Sequence, residues 1–116
     1  MIRLYHNPRC SKSREALALL QEAGAEVEVI EYLKHPPTAA ELDHILTLLQ
    51  LEPRDLLRTK EEEYETLCLD DITLERDSLI ETMVDNPMLI ERPIAVSETM
   101  AVLGRPPEKV LALLQH

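Results

Sequence analysis

The first 32 residues of the chain constrain its fold more than any other part, because the spacing of their apolar residues changes twice. Residues 2–5 form a short apolar run that ends at Asn7-Pro8, which is typical of a strand entering a loop. Residues 12–23 carry apolar side chains at helical spacing, and Gly24 follows where a left-handed C-terminal cap is expected. Residues 25–32 alternate between apolar and polar side chains and predict a second strand. The chain therefore begins strand–helix–strand.

Prolines and a capping signal mark a helical block in the middle of the chain. Pro36-Pro37 follows the second predicted strand and prevents regular structure from continuing there. Thr38 with Glu41 three residues later forms a capping-box pattern that predicts a helix. Pro53 predicts the start of a short helix, and residues 75–85 predict a further one. The expected core-facing residues of the first and last of these helices are Leu42, Ile45, Leu46, Leu49, Leu79, Ile80, Met83 and Val84.

The end of the chain predicts two strands and a helix. Residues 94–96 and 101–103 are short β-prone runs, which predict a hairpin, and Pro106-Pro107 marks the start of a final helix. The expected core-facing residues of that helix are Val110, Leu111 and Leu114. With 116 residues in total, we expect one α/β domain over residues 1–116, with a helical insertion at about 38–86.

Charge and composition exclude several classes of function. The chain has 22 acidic and 12 basic side chains, and its net charge of −10 opposes binding to nucleic acid. Phe and Trp are absent, which weakens the case for base stacking. The apolar runs fall far short of the roughly 20 residues that span a bilayer, and polar residues at 6–9 interrupt any signal peptide. We expect a cytoplasmic monomer that binds neither nucleic acid nor membrane.

The charge is distributed unevenly along the chain. The first 20 residues hold four basic side chains and one acidic side chain. Residues 59–81 hold nine acidic and two basic side chains, and the plain interpretation of this segment is a solvated helical surface. The basic segment is the more informative one, because it surrounds a cysteine.

Cys10 lies between the first predicted strand and the first predicted helix. Cationic neighbours and the N–H groups of a helix N-terminus both favour a thiolate, and the basic residues here are Arg9, Lys12 and Arg14. The Ser13 hydroxyl stands one turn further on, from where it could donate to the sulfur. The alternative is a small buried core thiol.

The second cysteine and the histidines suggest no metal or disulfide. Two cysteines are too few for a disulfide framework. Cys68 has acidic neighbours that disfavour its thiolate, so we expect it to pack as a small hydrophobe or to stay idle rather than to act as a resolving thiol. No second cysteine or histidine pair has the spacing of a zinc site, and we expect no metal.

The segment from His6 to Arg14 resembles the active-site segment of the glutaredoxin-coupled arsenate reductase family. Further blocks occur in the order and at about the spacing of that family, so that the resemblance covers nearly the whole chain. These blocks are Tyr32-Leu33 with Pro36-Pro37-Thr38, Leu56-Leu57-Arg58, Glu91-Arg92-Pro93-Ile94 and Gly104-Arg105-Pro106-Pro107-Glu108. The resemblance implies a thioredoxin-like fold: strand-helix-strand, helical insertion and strand-strand-helix around a mixed four-stranded sheet.

The resemblance also implies roles for individual residues. Cys10 is the implied nucleophile, and the implied oxyanion ligands are Arg58, Arg92 and Arg105. Guanidinium groups bind such oxyanions through paired, charge-assisted hydrogen bonds, although each arginine alone could equally be a surface salt-bridge partner. Pro93 matches the cis-proline of the fold. His6 matches a histidine that tunes the thiolate, the alternative being a loop-capping or solvent-facing histidine.

The implied reaction is the reduction of arsenate to arsenite through a cysteine adduct. Glutathione is the implied co-substrate and glutaredoxin the implied protein partner, with no bound cofactor. Ser11-Lys12 stands where the arsenate-resistance members have Gly-Thr, and those members carry an extra C-terminal segment, so a branch with another substrate is one alternative. A glutathione-linked thiol oxidoreductase is a second, and a redox-related transcriptional regulator is a third. Ser13 replaces the second cysteine of that regulator's Cys-x-x-Cys switch.

Overall fold

The protein, described by a computed structural model over residues 1–115, contains a mixed four-stranded sheet. Its strands are β1 (Ile2–His6), β2 (Val27–Glu31), β3 (Ile94–Val96) and β4 (Ala101–Leu103). Across the sheet the order is β2-β1-β3-β4. β1 runs parallel to β2 and antiparallel to β3, and β3 pairs with β4 as an antiparallel hairpin. The predicted α/β class, the mixed sheet and the hairpin are confirmed.

The first helix, α1 (Ser11–Glu22), connects the parallel pair β1 and β2. Gly24 follows its C-terminal cap with φ +79°, the left-handed conformation that its position in the sequence predicts. The buried face of α1 packs with the C-terminal helix (Pro107–Gln115) against apolar side chains of β1 and β3. This core consists of Ile2, Leu4, Ala16, Leu20, Ala95, Val110 and Leu113.

The C-terminal helix has 3₁₀ geometry, which corrects the prediction of its buried face. Val110 is fully buried and Leu113 is 5% exposed, whereas Leu114 is 40% exposed and Leu111 is only partly buried. A 3₁₀ helix has three residues per turn, so side chains three positions apart point in the same direction. The predicted set of Val110, Leu111 and Leu114 assumed the 3.6-residue turn of an α-helix and therefore missed Leu113.

By contact the chain divides into two compact units. The first comprises Met1–His35 and the segment from Arg92 onward, and it contains the sheet, α1 and the C-terminal helix. The second is Pro36–Glu91, which corresponds to the helical insertion expected at about 38–86. Its elements are α2 (Ala39–Leu49), α3 (Pro53–Leu56), α4 (Glu62–Thr66), α5 (Arg76–Asp85) and a 3₁₀ turn at Pro87–Leu89.

The second unit is built around the contacts of α5 with α2, α3 and the 3₁₀ turn. At the start of α2 the predicted capping box is present: Glu41 N–H donates to Thr38 Oγ1 at 3.1 Å, and Thr38 N–H donates to Glu41 Oε1 at 3.1 Å. Six of the eight predicted core-facing residues of α2 and α5 are buried, and Leu49 and Val84 are only partly buried. The helical pattern therefore identified the correct faces of these two helices.

The acidic segment at residues 59–81 lies mainly at the surface, as expected. Within it α4 has no buried residue, and Ile72 is 90% exposed. Among the described residues, 1–115, we find no helix with the length and apolar character needed to cross a bilayer.

Candidate functional site

The topology brings three predicted site segments to one end of the sheet. The loop that carries Cys10 follows β1, the dipeptide Arg92-Pro93 precedes β3, and Gly104-Arg105 follows β4. β1 and β3 are antiparallel, with Tyr5 opposite Ile94, and β4 is antiparallel to β3. The end of β1, the start of β3 and the end of β4 therefore lie at the same end of the sheet, and the three segments adjoin the strands there. All belong to the first unit.

The loop before α1 is held by hydrogen bonds on both sides of Cys10. Asn7 Oδ1 accepts from Arg9 N–H at 3.0 Å, and Asn7 O accepts from Cys10 N–H at 3.0 Å. Cys10 O accepts from Arg14 N–H at 3.0 Å, so Cys10 is the N-cap residue of α1. The backbone thus fixes the cysteine at the junction of loop and helix.

Cys10 is nearly enclosed but lies next to exposed cations. The residue is 9% exposed and does not belong to the core formed by α1, the sheet and the C-terminal helix. Its side chain makes no capping hydrogen bond to the helix. Arg9, Lys12 and Arg14 are all exposed, and Arg14 Nη1 donates to Pro8 O at 2.9 Å. A small anionic reactant meets positive charge on its way to this thiol.

Ser13 is fully buried and links the loop to the helix. Its Oγ accepts a hydrogen bond from Asn7 N–H at 3.4 Å. This contact makes Ser13 a support for the loop that precedes Cys10. Donation from its hydroxyl to the sulfur stays a prediction.

His6 is the last residue of β1 and is buried, which is inconsistent with a solvent-facing histidine. Its Nδ1 atom is buried and has no hydrogen-bond partner among the described residues. Burial lowers the pKa of His6 below 6.5; the charge of Glu31 opposes this effect and that of Arg14 adds to it. The imidazole is therefore neutral at pH 7.

The lowered pKa of His6 predicts a dependence of stability on pH. The unfolded chain takes up this proton near pH 6.5 and the folded protein only at lower pH, so protonation favours unfolding as the pH falls. Urea midpoints should therefore decrease between about pH 7.5 and about pH 5.5, and should decrease less in His6→Gln. His44→Gln, at an exposed position of α2, should keep the wild-type slope. If the urea midpoint changed equally with pH in His6→Gln and in wild type, His6 would be excluded as the source of the pH dependence.

Two dipeptides, Arg92-Pro93 and Gly104-Arg105, are joined by a pair of hydrogen bonds. Gly104 N–H donates to Pro93 O at 2.8 Å, and Arg105 Nε donates to Arg92 O at 2.8 Å. The Arg92-Pro93 peptide bond is cis, as predicted. Arg105-Pro106 is also cis, which the sequence analysis missed, since X-Pro bonds in folded proteins are rarely cis.

Arg58, in the second unit, forms the salt bridges that were the alternative to an oxyanion ligand. Its Nη1 lies 3.2 Å from Glu61 Oε1, and its Nε lies 3.7 Å from Glu91 Oε1. The backbone also holds it, because Arg58 N–H donates to Leu89 O at 2.8 Å beside an isolated bridge between Leu57 and Ile90. Glu61, three residues after Arg58, was the available signal. An oxyanion ligand at Arg58 stays a prediction, and binding there would have to displace carboxylates.

Of the two expectations for Cys68, packing as a small hydrophobe is wrong, and an idle thiol stays a prediction. The residue is exposed and has φ +55°. It lies in the turns between α4 and α5, where Arg54 Nη1 donates to Leu69 O at 2.8 Å and fixes the backbone at the surface. The described residues contain no group of three or more His, Cys, Asp or Glu side chains placed to hold a metal ion.

Comparison with known proteins identifies the family. The ArsC family model matches residues 5–113. The chain is 51% identical over 114 residues to an uncharacterized protein, YfgD, of Escherichia coli K12, and the alignment covers 97% of this chain and 96% of YfgD. It is 45% identical over 114 residues to an arsenate reductase of Neisseria meningitidis serogroup A, and that alignment covers 97% of each chain. The structure of an arsenate reductase from Vibrio cholerae superposes with a TM-score of 0.92 at 48% identity, covering 96% of this chain and 95% of that one. The chain, with its thioredoxin-like fold, belongs to the ArsC family.

Proposed function

We propose that this protein is an arsenate reductase that uses Cys10 as its nucleophile. The observation that carries the proposal is the meeting of the Cys10 loop, Arg92 and Arg105 at one end of the sheet, in a chain whose relatives include proteins named arsenate reductase. A nucleophilic sulfur beside paired guanidinium groups suits attack on a small tetrahedral oxyanion. The net charge of −10 opposes polyanionic partners and does not prevent this local recognition.

The arginines supply binding and charge compensation. Arsenate carries about the same charge as phosphate, and guanidinium forks bind such anions through two parallel hydrogen bonds. The Nε atom of Arg105 donates to Arg92 O, and this hydrogen bond restrains the orientation of the Arg105 guanidinium group. Arg58 is the third proposed ligand, on the strength of the family resemblance. Its partners Glu61 and Glu91 would then exchange for the oxyanion.

The chemistry begins when the Cys10 thiolate attacks arsenic. A sulfur–arsenic bond forms, one arsenic–oxygen bond breaks, and the departing oxygen leaves as water after taking up protons. Two electrons must then reduce arsenic(V) to arsenic(III). Glutathione attacks the Cys10 sulfur of the adduct, the sulfur–arsenic bond breaks, and its electron pair stays on arsenic, which leaves as arsenite. A second glutathione, acting through glutaredoxin, resolves the mixed disulfide of Cys10 with glutathione and restores the Cys10 thiol. One arsenate and two glutathiones thus yield arsenite, water and oxidised glutathione.

The electron donor is proposed to be external. Ser13 occupies the position where a Cys-x-x-Cys pair would have its second cysteine, so Cys10 has no resolving thiol at that position. Glutathione is anionic, and the exposed cations Arg9 and Lys12 flank Cys10 without forming an ion pair among the contacts of residues 1–115. We assign glutathione as co-substrate and glutaredoxin as partner, without a bound cofactor or metal, in a cytoplasmic monomer.

A coupled assay with omitted components tests this function. Purified protein with glutathione, glutaredoxin, glutathione reductase and NADPH should oxidise NADPH only when arsenate is added. Omission of glutathione or of glutaredoxin should each lower the rate to background, because the adduct would not be resolved. With glutaredoxin left out, NADPH oxidation on a small disulfide substrate but not on arsenate would instead identify a general glutathione-linked oxidoreductase. A protein inactive on both would contradict an enzymatic role.

A further inference from the structure

Gly104 stands where no side chain can fit. The residue follows β4 and is buried. A Cβ atom added to it would lie 2.7 Å from Pro93 Cγ and 3.1 Å from Val110 Cγ1. The first distance is well inside van der Waals contact, so either β4 or Pro93 would have to move. Any residue other than glycine at this position therefore requires its neighbours to shift.

Gly104 is not needed for its backbone conformation, in contrast to Gly24. Gly24 has φ +79°, and a Cβ atom built there meets nothing within 4 Å. Gly104 does not have a positive φ, so the requirement for glycine arises from contact with Pro93 and Val110. The two glycines thus serve different physical purposes. They provide a natural pair for comparison.

The residues on either side of this close contact carry the proposed oxyanion ligands. Gly104 N–H donates to Pro93 O, and Arg105 Nε donates to Arg92 O, both at 2.8 Å. The guanidinium of Arg105 is therefore attached to the backbone from which the Arg92 side chain extends. Any displacement of Gly104 from Pro93 changes the spacing of the two arginines.

We propose that Gly104 is a positioning residue, whose missing side chain sets the distance between Arg92 and Arg105 for oxyanion binding. The inference deepens the proposed function and rests on it for the role of the two arginines. The distance from an added Cβ to Pro93 Cγ would have to increase from 2.7 Å to at least 3.4 Å, by about 0.7 Å, to reach ordinary contact. Misplacement by about 1 Å can cost about 100-fold in an oriented reaction, so a smaller shift predicts an effect of about tenfold.

The test compares Gly104→Ala with Gly24→Ala in a Cys68→Ser background. The readout is protection of Cys10 from iodoacetamide by sulfate, a tetrahedral anion that does not react with thiols. Gly104→Ala should need about tenfold more sulfate for half protection, while its alkylation rate without sulfate stays within about twofold of wild type. Gly24→Ala should lower the midpoint of thermal unfolding and leave the protecting sulfate concentration unchanged. Equal protection in Gly104→Ala and wild type would overturn the proposal.

A second variant covers the case in which Gly104→Ala does not fold. Gly104→Ala combined with Val110→Ala removes the Val110 Cγ1 atom that lies 3.1 Å from the added Cβ, and it keeps the 2.7 Å approach to Pro93 Cγ. The double variant should still need about tenfold more sulfate for half protection than Val110→Ala alone, and equal protection in these two variants would contradict the proposal. The readout needs no turnover, so it remains valid if the wild-type protein fails to reduce arsenate. Failure of the proposed function and failure of this inference are thereby separate results.

Discussion

Replacement of Cys10 by serine should abolish arsenate-dependent oxidation of NADPH, lowering the rate by at least about 1000-fold. Serine is close to cysteine in size, and the hydrogen bonds that hold position 10 come from its backbone, so the loop and α1 should keep their structure. A hydroxyl, however, has almost no anionic fraction at pH 7 and forms no sulfur–arsenic bond. The measurement is the coupled rate over a range of arsenate concentrations, with circular dichroism to confirm folding.

Cys68→Ser is the matched control for Cys10→Ser. Cys68 is the other cysteine, lies exposed in the second unit, and should be dispensable if electrons come from external thiols. Its replacement should leave the rate within about twofold of wild type. If Cys68→Ser were as inactive as Cys10→Ser, an internal disulfide would replace external glutathione as the means of resolving the adduct. If Cys10→Ser kept wild-type activity, the reductase assignment would be wrong.

The predictable parts of the fold are those set by residues near one another in sequence. The left-handed Gly24 and the Thr38–Glu41 capping box follow from short patterns with one structural solution, and both are present. The 3₁₀ geometry of the C-terminal helix was not predictable in this way. The leucine and valine residues of that segment are spaced three and four positions apart, and this spacing fits both an α-helix and a 3₁₀ helix. In the structure Val110 and Leu113, three positions apart, both pack in the core with the sheet.

In the candidate site, too, the features set by local sequence were predictable and those set by more distant contacts were not. The position of Cys10 between a strand and a helix, and the cis bond before Pro93, agree with prediction. The contact of Gly104 with Pro93 joins residues that adjoin different strands, and no pattern of residue types indicates that a Cβ at position 104 would lie only 2.7 Å from Pro93 Cγ. The Glu91 partner of Arg58 is still more remote in sequence. Cys68 is exposed beside Leu69, whose carbonyl accepts a hydrogen bond from the side chain of Arg54, and no sequence pattern shows this contact across 15 residues.

Replacement of Arg92 or of Arg105 by alanine should lower kcat/KM for arsenate by about 100- to 1000-fold, the usual cost of losing one donor that stabilises developing charge. Both arginines adjoin the strand ends at which the Cys10 loop emerges. Each loss removes charge-assisted hydrogen bonds that no neighbouring lysine reproduces. Arg3→Ala is the matched control, because Arg3 is exposed on β1 and only a 4.0 Å contact with Glu28 is affected.

The comparison that decides the role of these arginines is between arsenate reduction and alkylation of Cys10. If the arginines bind the oxyanion, Arg92→Ala and Arg105→Ala lose arsenate reduction and keep a near wild-type rate of alkylation by iodoacetamide, which needs the thiolate but no anion site. A parallel loss of both rates would mean that the arginines only support the fold or the thiolate. Arg58→Ala requires a stability measurement as well, because it also removes the salt bridges of Arg58 with Glu61 and Glu91. Loss of arsenate reduction by Arg58→Ala at unchanged stability and alkylation is therefore the result that would establish a third oxyanion ligand.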